Sequence, residues 1–84
     1  METRYHLDRA IITALAVKLA ERGHKDLSSV VPVSDLVDAL LEIGAVKVSK
    51  RRVWRKVRNI KIPSSFPLVE VAKWGLIIVV EAYA

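Results

Sequence analysis

The sequence predicts an α+β domain of three helices, a short edge strand and a C-terminal β-hairpin, and three observations carry that prediction. Apolar side chains recur at helical spacing in separate segments, each closed by glycine or proline. A β-branched cluster, Val30, Val31 and Val33, is interrupted by Pro32. Two β-rich runs then close the chain around Gly75. With 84 residues the chain makes one domain, residues 1–84, and folding should remove roughly 60 to 65% of the unfolded chain's surface from water.

The first helix is expected over about residues 7–22, where Leu7, Ile11, Leu15 and Leu19 recur every four residues. Ile12, Ala14, Ala16 and Ala20 fill the flanks of that stripe, and Gly23 stops it. The following HKDLSSVVPV mixes turn formers with the β-branched cluster. Proline is tolerated at sheet edges and not inside sheets, so this stretch reads as a loop and a very short edge strand.

Ser34 then precedes DLVDALLEIG, and a second helix is expected over about 34–43. Leu36, Val37, Leu40 and Leu41 form its stripe, Asp35 and Asp38 sit near the positive end of its dipole, and Gly44 closes it. After the connection GAVKV, Ser49 is the expected N-cap of a third helix over about 49–62, ended by Pro63. In PLVEVAKWGLIIVVEAYA two β-rich runs flank Lys73, Trp74 and Gly75, the pattern of a hairpin over about 68–82. There is no internal repeat, low-complexity tract or linker.

Composition excludes several functional classes. Without cysteine there is no disulfide framework, thiolate metal site or cysteine nucleophile. The segment METRYHLDRA carries charges where a signal peptide needs an apolar core, and WGLIIVV is far shorter than the ~20 residues of a membrane helix, so a cytoplasmic protein is expected. One Asn, no Gln, no Cys and one Met is the shortage of heat-labile side chains reported for hyperthermophiles. The two histidines, His6 and His24, each lie near an acid but at the margins of the first helix. They lack the further convergent groups of a metal or acid–base site. No phosphate loop, nucleophile elbow or paired-carboxylate pattern is present, so neither an enzyme nor a cofactor or metal site is expected.

Charge is the most informative feature. The segment SKRRVWRKVRNIKI, residues 49–62, holds seven of the fourteen cations and no acid, whereas the rest of the chain has seven cations against nine acids. On a helix, Val53, Val57 and Ile60 fall in one stripe and Arg51, Arg55 and Arg58 on the opposite side. Arg52, Lys56 and Asn59 cover one flank, Trp54 and Lys61 the other. Solvated helix faces usually interleave both signs, because like charges three or four residues apart cost ~0.2 to 0.5 kcal/mol per pair. Lys50, Arg51 and Arg52 also crowd the end of the helix that is already positive, at ~0.3 to 1 kcal/mol each. An anionic partner turns that cluster into an attraction, and guanidinium groups suit two-pronged contacts with phosphates and guanine edges. The segment therefore points to nucleic acid rather than to a merely solvated face.

The run SDLVDALLEIGAVKVSKRRVWRKVRNI resembles the helix, turn and recognition helix of winged helix-turn-helix domains. The likeness extends over nearly the whole chain and suits a small prokaryotic, archaeal-type member. It implies that residues 50–59 enter the major groove and that the loop around Lys73 and Trp74 is the wing. The nucleic-acid contacts it implies are Ser49, Lys50, Arg51, Arg52, Arg55, Lys56, Arg58 and Asn59, with Lys73 and Trp74 from the wing. The wing carries one cation, which places the weight on the helix. For Trp54, the area an indole hides favours a core edge over base stacking. For Trp74, partner contact and packing stay open.

In the last run Leu76, Ile78 and Val80 would face one way along a strand and Ile77 and Val79 the other. A sheet edge buries only one such face in its own domain. Leu76 to Val80 is accordingly an expected seam, for a homodimer or for a place on a larger assembly, or else its second face is covered by the N-terminal helix. The expected function is DNA binding, with structured RNA left open beside it, as a transcription regulator or chromatin-like protein. The alternative is a winged-helix accessory subunit, a protein adaptor in a replication, transcription or ribosomal assembly.

Overall fold

The computed structural model describes residues 8–84; Leu7, the expected start of the first helix, and His6 lie outside the described residues. The described chain is α+β, with four helices and a two-stranded antiparallel sheet. Helix α1 (Arg9–Glu21) starts at Asp8, whose Oδ1 accepts the Ile11 N–H at 2.9 Å. It ends in a Schellman motif: His24 N–H donates to Leu19 O at 2.9 Å and Gly23 N–H to Ala20 O at 3.0 Å. Gly23 holds φ at +96°, a conformation that a side chain disfavours.

Strand β1 (Val30–Pro32) pairs antiparallel with β2 (Ser65–Pro67), with Val31 opposite Phe66. The expected edge strand is thus present, but its partner is the segment after Pro63. Each strand has a neighbour on one side only, which is why both accommodate a proline. So short a ribbon is not stable alone. It is held because Val31 and Phe66 point into the core, 0% and 2% exposed. Val33 N–H to Ser64 O (2.8 Å) and Leu68 N–H to Ser29 O (2.9 Å) extend the tie at both ends.

Helix α2 (Val33–Glu42) leaves directly from β1, with Pro32 in the capping position, so Ser34 lies in its first turn and is not the cap. Leu36, Val37, Ala39 and Leu40 form its buried face. Gly44, at φ +78°, closes α2 with the same motif as α1: Ala45 N–H donates to Leu40 O at 3.0 Å and Gly44 N–H to Leu41 O at 3.2 Å. Helix α3 (Lys50–Val57) is capped by Ser49, whose Oγ accepts the Arg52 N–H at 3.2 Å. It is shorter than expected. The backbone tightens into turns at Asn59 and Ile60, bonded to Lys56 O and Val57 O, before it straightens toward Pro63.

The expected hairpin over 68–82 does not form. After Pro67 the chain makes a 3₁₀ turn (Leu68–Glu70) and then helix α4 (Val71–Ala82). Its buried residues are Val71, Gly75, Ile78, Val79 and Ala82, a spacing of a helix and not of a strand. The Trp74 indole N–H donates to Glu70 Oε1 at 2.9 Å, one turn back. A helix apolar on nearly all sides belongs among other elements. α4 packs most extensively on α3 and also on α2. The unit from α2 to the end of α3 is therefore closed at its base by the two strands and backed by α4. Among the described residues no helix is long and apolar enough to cross a membrane.

Candidate nucleic-acid interface

The basic segment divides into cations that the domain itself uses and cations that it leaves free. Val53 and Val57 bury the inner face of α3 in the core, as the helical spacing requires. Lys50 Nζ lies 2.9 Å from Asp38 Oδ1 on α2, which offsets part of the charge crowding at the start of α3. Arg52 Nε donates to Ala82 O at 3.1 Å, and Lys56 Nζ to Ala84 O at 3.4 Å. These two cations sit at the C-terminal end of α4, where carbonyls have no helical partner and the dipole is negative.

Arg51, Arg55 and Arg58 are exposed, and their side chains make no hydrogen bond or ion pair among the described residues. They stand at i, i+4 and i+7 on one face, rising about 10 Å along the helix axis at ~1.5 Å per residue. Together with Lys50 and Trp54 they line an open concavity of about 520 Å³. Asn59, in the turn that follows α3, and Lys61 beyond it are also exposed.

Asp35 and Glu42 do not neutralise the three arginines, because Lys18 of α1 and Arg22 and His24 just after it take them. Arg22 Nη2 lies 2.9 Å from Glu42 Oε1, Arg22 Nη1 lies 3.4 Å from Asp35 Oδ1, and His24 Nε2 lies 2.7 Å from Asp35 Oδ2. Lys18 completes the set at 3.8 Å from Glu42 Oε2. All three carboxylates of α2, Asp35, Asp38 and Glu42, are thus engaged with Arg22, His24, Lys18 and Lys50. The turn before α3 is fixed as well, since Lys47 N–H donates to Tyr83 Oη at 2.7 Å.

The other expected contacts fall elsewhere. The Ser49 hydroxyl is used as the cap of α3. Lys73 and Trp74 lie inside α4 and not at a hairpin tip: Lys73 Nζ sits 4.5 Å above the Trp74 ring, which packs 6.1 Å from the Phe66 ring. Neither lines the basic concavity. In the expected seam, Ile78 and Val79 are core residues, while Leu76, Ile77 and Val80 are half-buried, so no strand with two free faces exists. Trp54 is the core edge expected of it, and it also lines the concavity. Its position beside the stripe puts one side against the core and the other in the concavity. Among the described residues no cluster of His, Cys, Asp and Glu could hold a metal ion. Comparison with protein-family profiles, with curated proteins and with solved structures finds no match to this chain.

Proposed function

We propose that this chain binds duplex DNA through α3, with α2 and α3 acting as a helix-turn-helix pair and α4 taking the place where a wing was expected. The observation that carries the reading is the set of three unpaired arginines, Arg51, Arg55 and Arg58, on one face of a short helix whose other cations are engaged within the domain. An α-helix with its side chains is about 10 to 12 Å across, comparable with the ~12 Å width of the major groove. Phosphate neutralisation supplies most of the affinity, and Arg51, Arg55 and Asn59 are the side chains assigned to base edges at a preferred sequence. The role is that of a transcription regulator or chromatin-like protein.

The test is fluorescence anisotropy with a labelled random-sequence duplex between about 50 and 200 mM salt. On random-sequence DNA all three arginines contact phosphate, which gives a log–log slope of about −2.7, a loss of roughly 40-fold across that range. Absence of binding at the lowest salt contradicts the proposal.

One observation favours a second reading, a protein adaptor in a larger assembly. An apolar groove of about 350 Å³ runs between α1 and the start of α4, lined by Ile12, Leu15 and Ala16 on one side and Leu68, Val69 and Val71 on the other. Leu27 and Val69, on its margin, are 73% and 63% exposed. A chain that fails to bind DNA but tends to self-associate supports that reading.

A further inference from the structure

Two tryptophans of this chain meet different fates, and the difference marks a feature of the basic face that a helix reading a continuous duplex does not need. Trp74 is fully employed: its N–H is bonded to Glu70, its ring packs beside Phe66, and Lys73 lies over it. Trp54 is half-buried, and its indole N–H has no acceptor among the described residues. Its neighbours in the concavity are Arg51, Arg55 and Arg58, at i−3, i+1 and i+4, with Lys50 at the rim. The domain has therefore left an aromatic surface, an unused donor and three unpaired guanidinium groups around one open volume of about 520 Å³, within the ~300 to 1,000 Å³ of small-ligand sites.

We infer that this concavity receives a single unstacked DNA base. The base stacks on Trp54, and the flanking phosphates are held by Arg51, Arg55 and Arg58. This rests on the DNA-binding reading above and refines its substrate: the preferred DNA has a single-stranded overhang or junction next to a duplex. A paired base inside a continuous duplex shows its edge to a groove-bound helix and keeps its π-face covered by its neighbours. Only an unpaired base offers the face that an indole binds. Combining cations that track the backbone with an aromatic platform is the general design of single-strand sites.

The experiment compares one duplex in blunt form with the same duplex carrying a four-nucleotide overhang, at fixed salt. Stacking of one base predicts that the overhang binds about 5- to 150-fold more tightly. Trp54→Leu, which keeps an apolar contact with the core but has no π-face, should abolish that preference, read as the ratio of the two affinities within the one variant. Trp54→Phe should keep part of the preference. In the Trp74→Phe protein, whose only indole is Trp54, emission should be quenched by the overhang DNA and not by the blunt duplex, a readout that does not depend on a Trp54 variant folding. Equal affinity of the wild-type chain for both DNAs, or unchanged Trp54 emission at saturation, overturns the inference and leaves the duplex reading standing. No binding to either DNA overturns both.

Discussion

Replacing Arg52 by Ala separates the two classes of cation that α3 carries. Arg52 and Arg55 lie on the same helix, three residues apart, and both are exposed by overall surface. Their surroundings differ. Arg52 Nε donates to Ala82 O at 3.1 Å in a partly buried position, whereas the Arg55 side chain touches no partner among the described residues. A hydrogen bond from a charged donor contributes ~1.5 to 3 kcal/mol, and partial solvent access reduces it toward the lower end. Losing the favourable position at the C-terminus of α4 adds ~0.3 to 1 kcal/mol. Arg52→Ala should therefore destabilise the domain by about 2 kcal/mol. At ~4 to 8 °C per kcal/mol for a domain of this size, Tm falls by about 8 to 16 °C. Arg55→Ala should stay within ~0.5 kcal/mol of wild type, as unpartnered surface changes do. Thermal melts followed by circular dichroism at 222 nm, paired with anisotropy on duplex DNA, read both properties. The expected pattern is crossed: Arg52→Ala melts early and binds nearly as wild type below its Tm, while Arg55→Ala melts normally and binds weakly. If Arg52→Ala keeps its Tm and loses DNA affinity as strongly as Arg55→Ala, the division of the basic helix is wrong.

Three further outcomes follow from the same geometry. Leu36→Ala, at a side chain 0% exposed at the centre of the core, should cost ~2 to 5 kcal/mol, read as a lower urea midpoint at unchanged slope. Gly44→Ala, which forces a side chain onto φ +78°, should cost ~1 to 2 kcal/mol by backbone strain alone, since nothing lies within 4 Å of the added methyl; a melting curve equal to wild type contradicts this. Asp38→Asn releases Lys50 from its 2.9 Å ion pair and makes one more cation available. It should steepen the salt dependence of DNA binding by about one unit, and an unchanged slope shows that Lys50 does not reach phosphate.

The helices with one apolar stripe were legible in the sequence, because glycine punctuation and four-residue spacing coincide at Leu15, Leu19 and Gly23, and again at Leu36, Leu40 and Gly44. The short strand was legible from Pro32, although its partner Phe66 was hidden in a segment without periodicity. The end of the chain misled for a physical reason. Five consecutive apolar residues, Leu76 to Val80, show no alternation that separates a buried helix from a buried strand, and their β-branched content tilts the reading toward a strand. The deciding signals were longer in range: Val71, Gly75 and Val79 recur every four residues, and the burial of Gly75 suits a helix packed among others rather than a turn. In the candidate site the outward face of Arg51, Arg55 and Arg58 followed from the position of Val53 and Val57. That Arg52 and Lys56 serve the end of α4 follows only from the helical course of residues 71–82, which the apolar run does not signal.

The most direct measurement is a titration of the ¹⁵N-labelled chain with a short duplex, followed residue by residue in amide correlation spectra. Shifts concentrated on residues 50–59, with the groove residues Ile12, Leu68 and Val69 unmoved, are what the account predicts. Shifts confined to that apolar groove, or none at stoichiometric DNA in low salt, contradict the claim that the free face of α3 is a nucleic-acid surface.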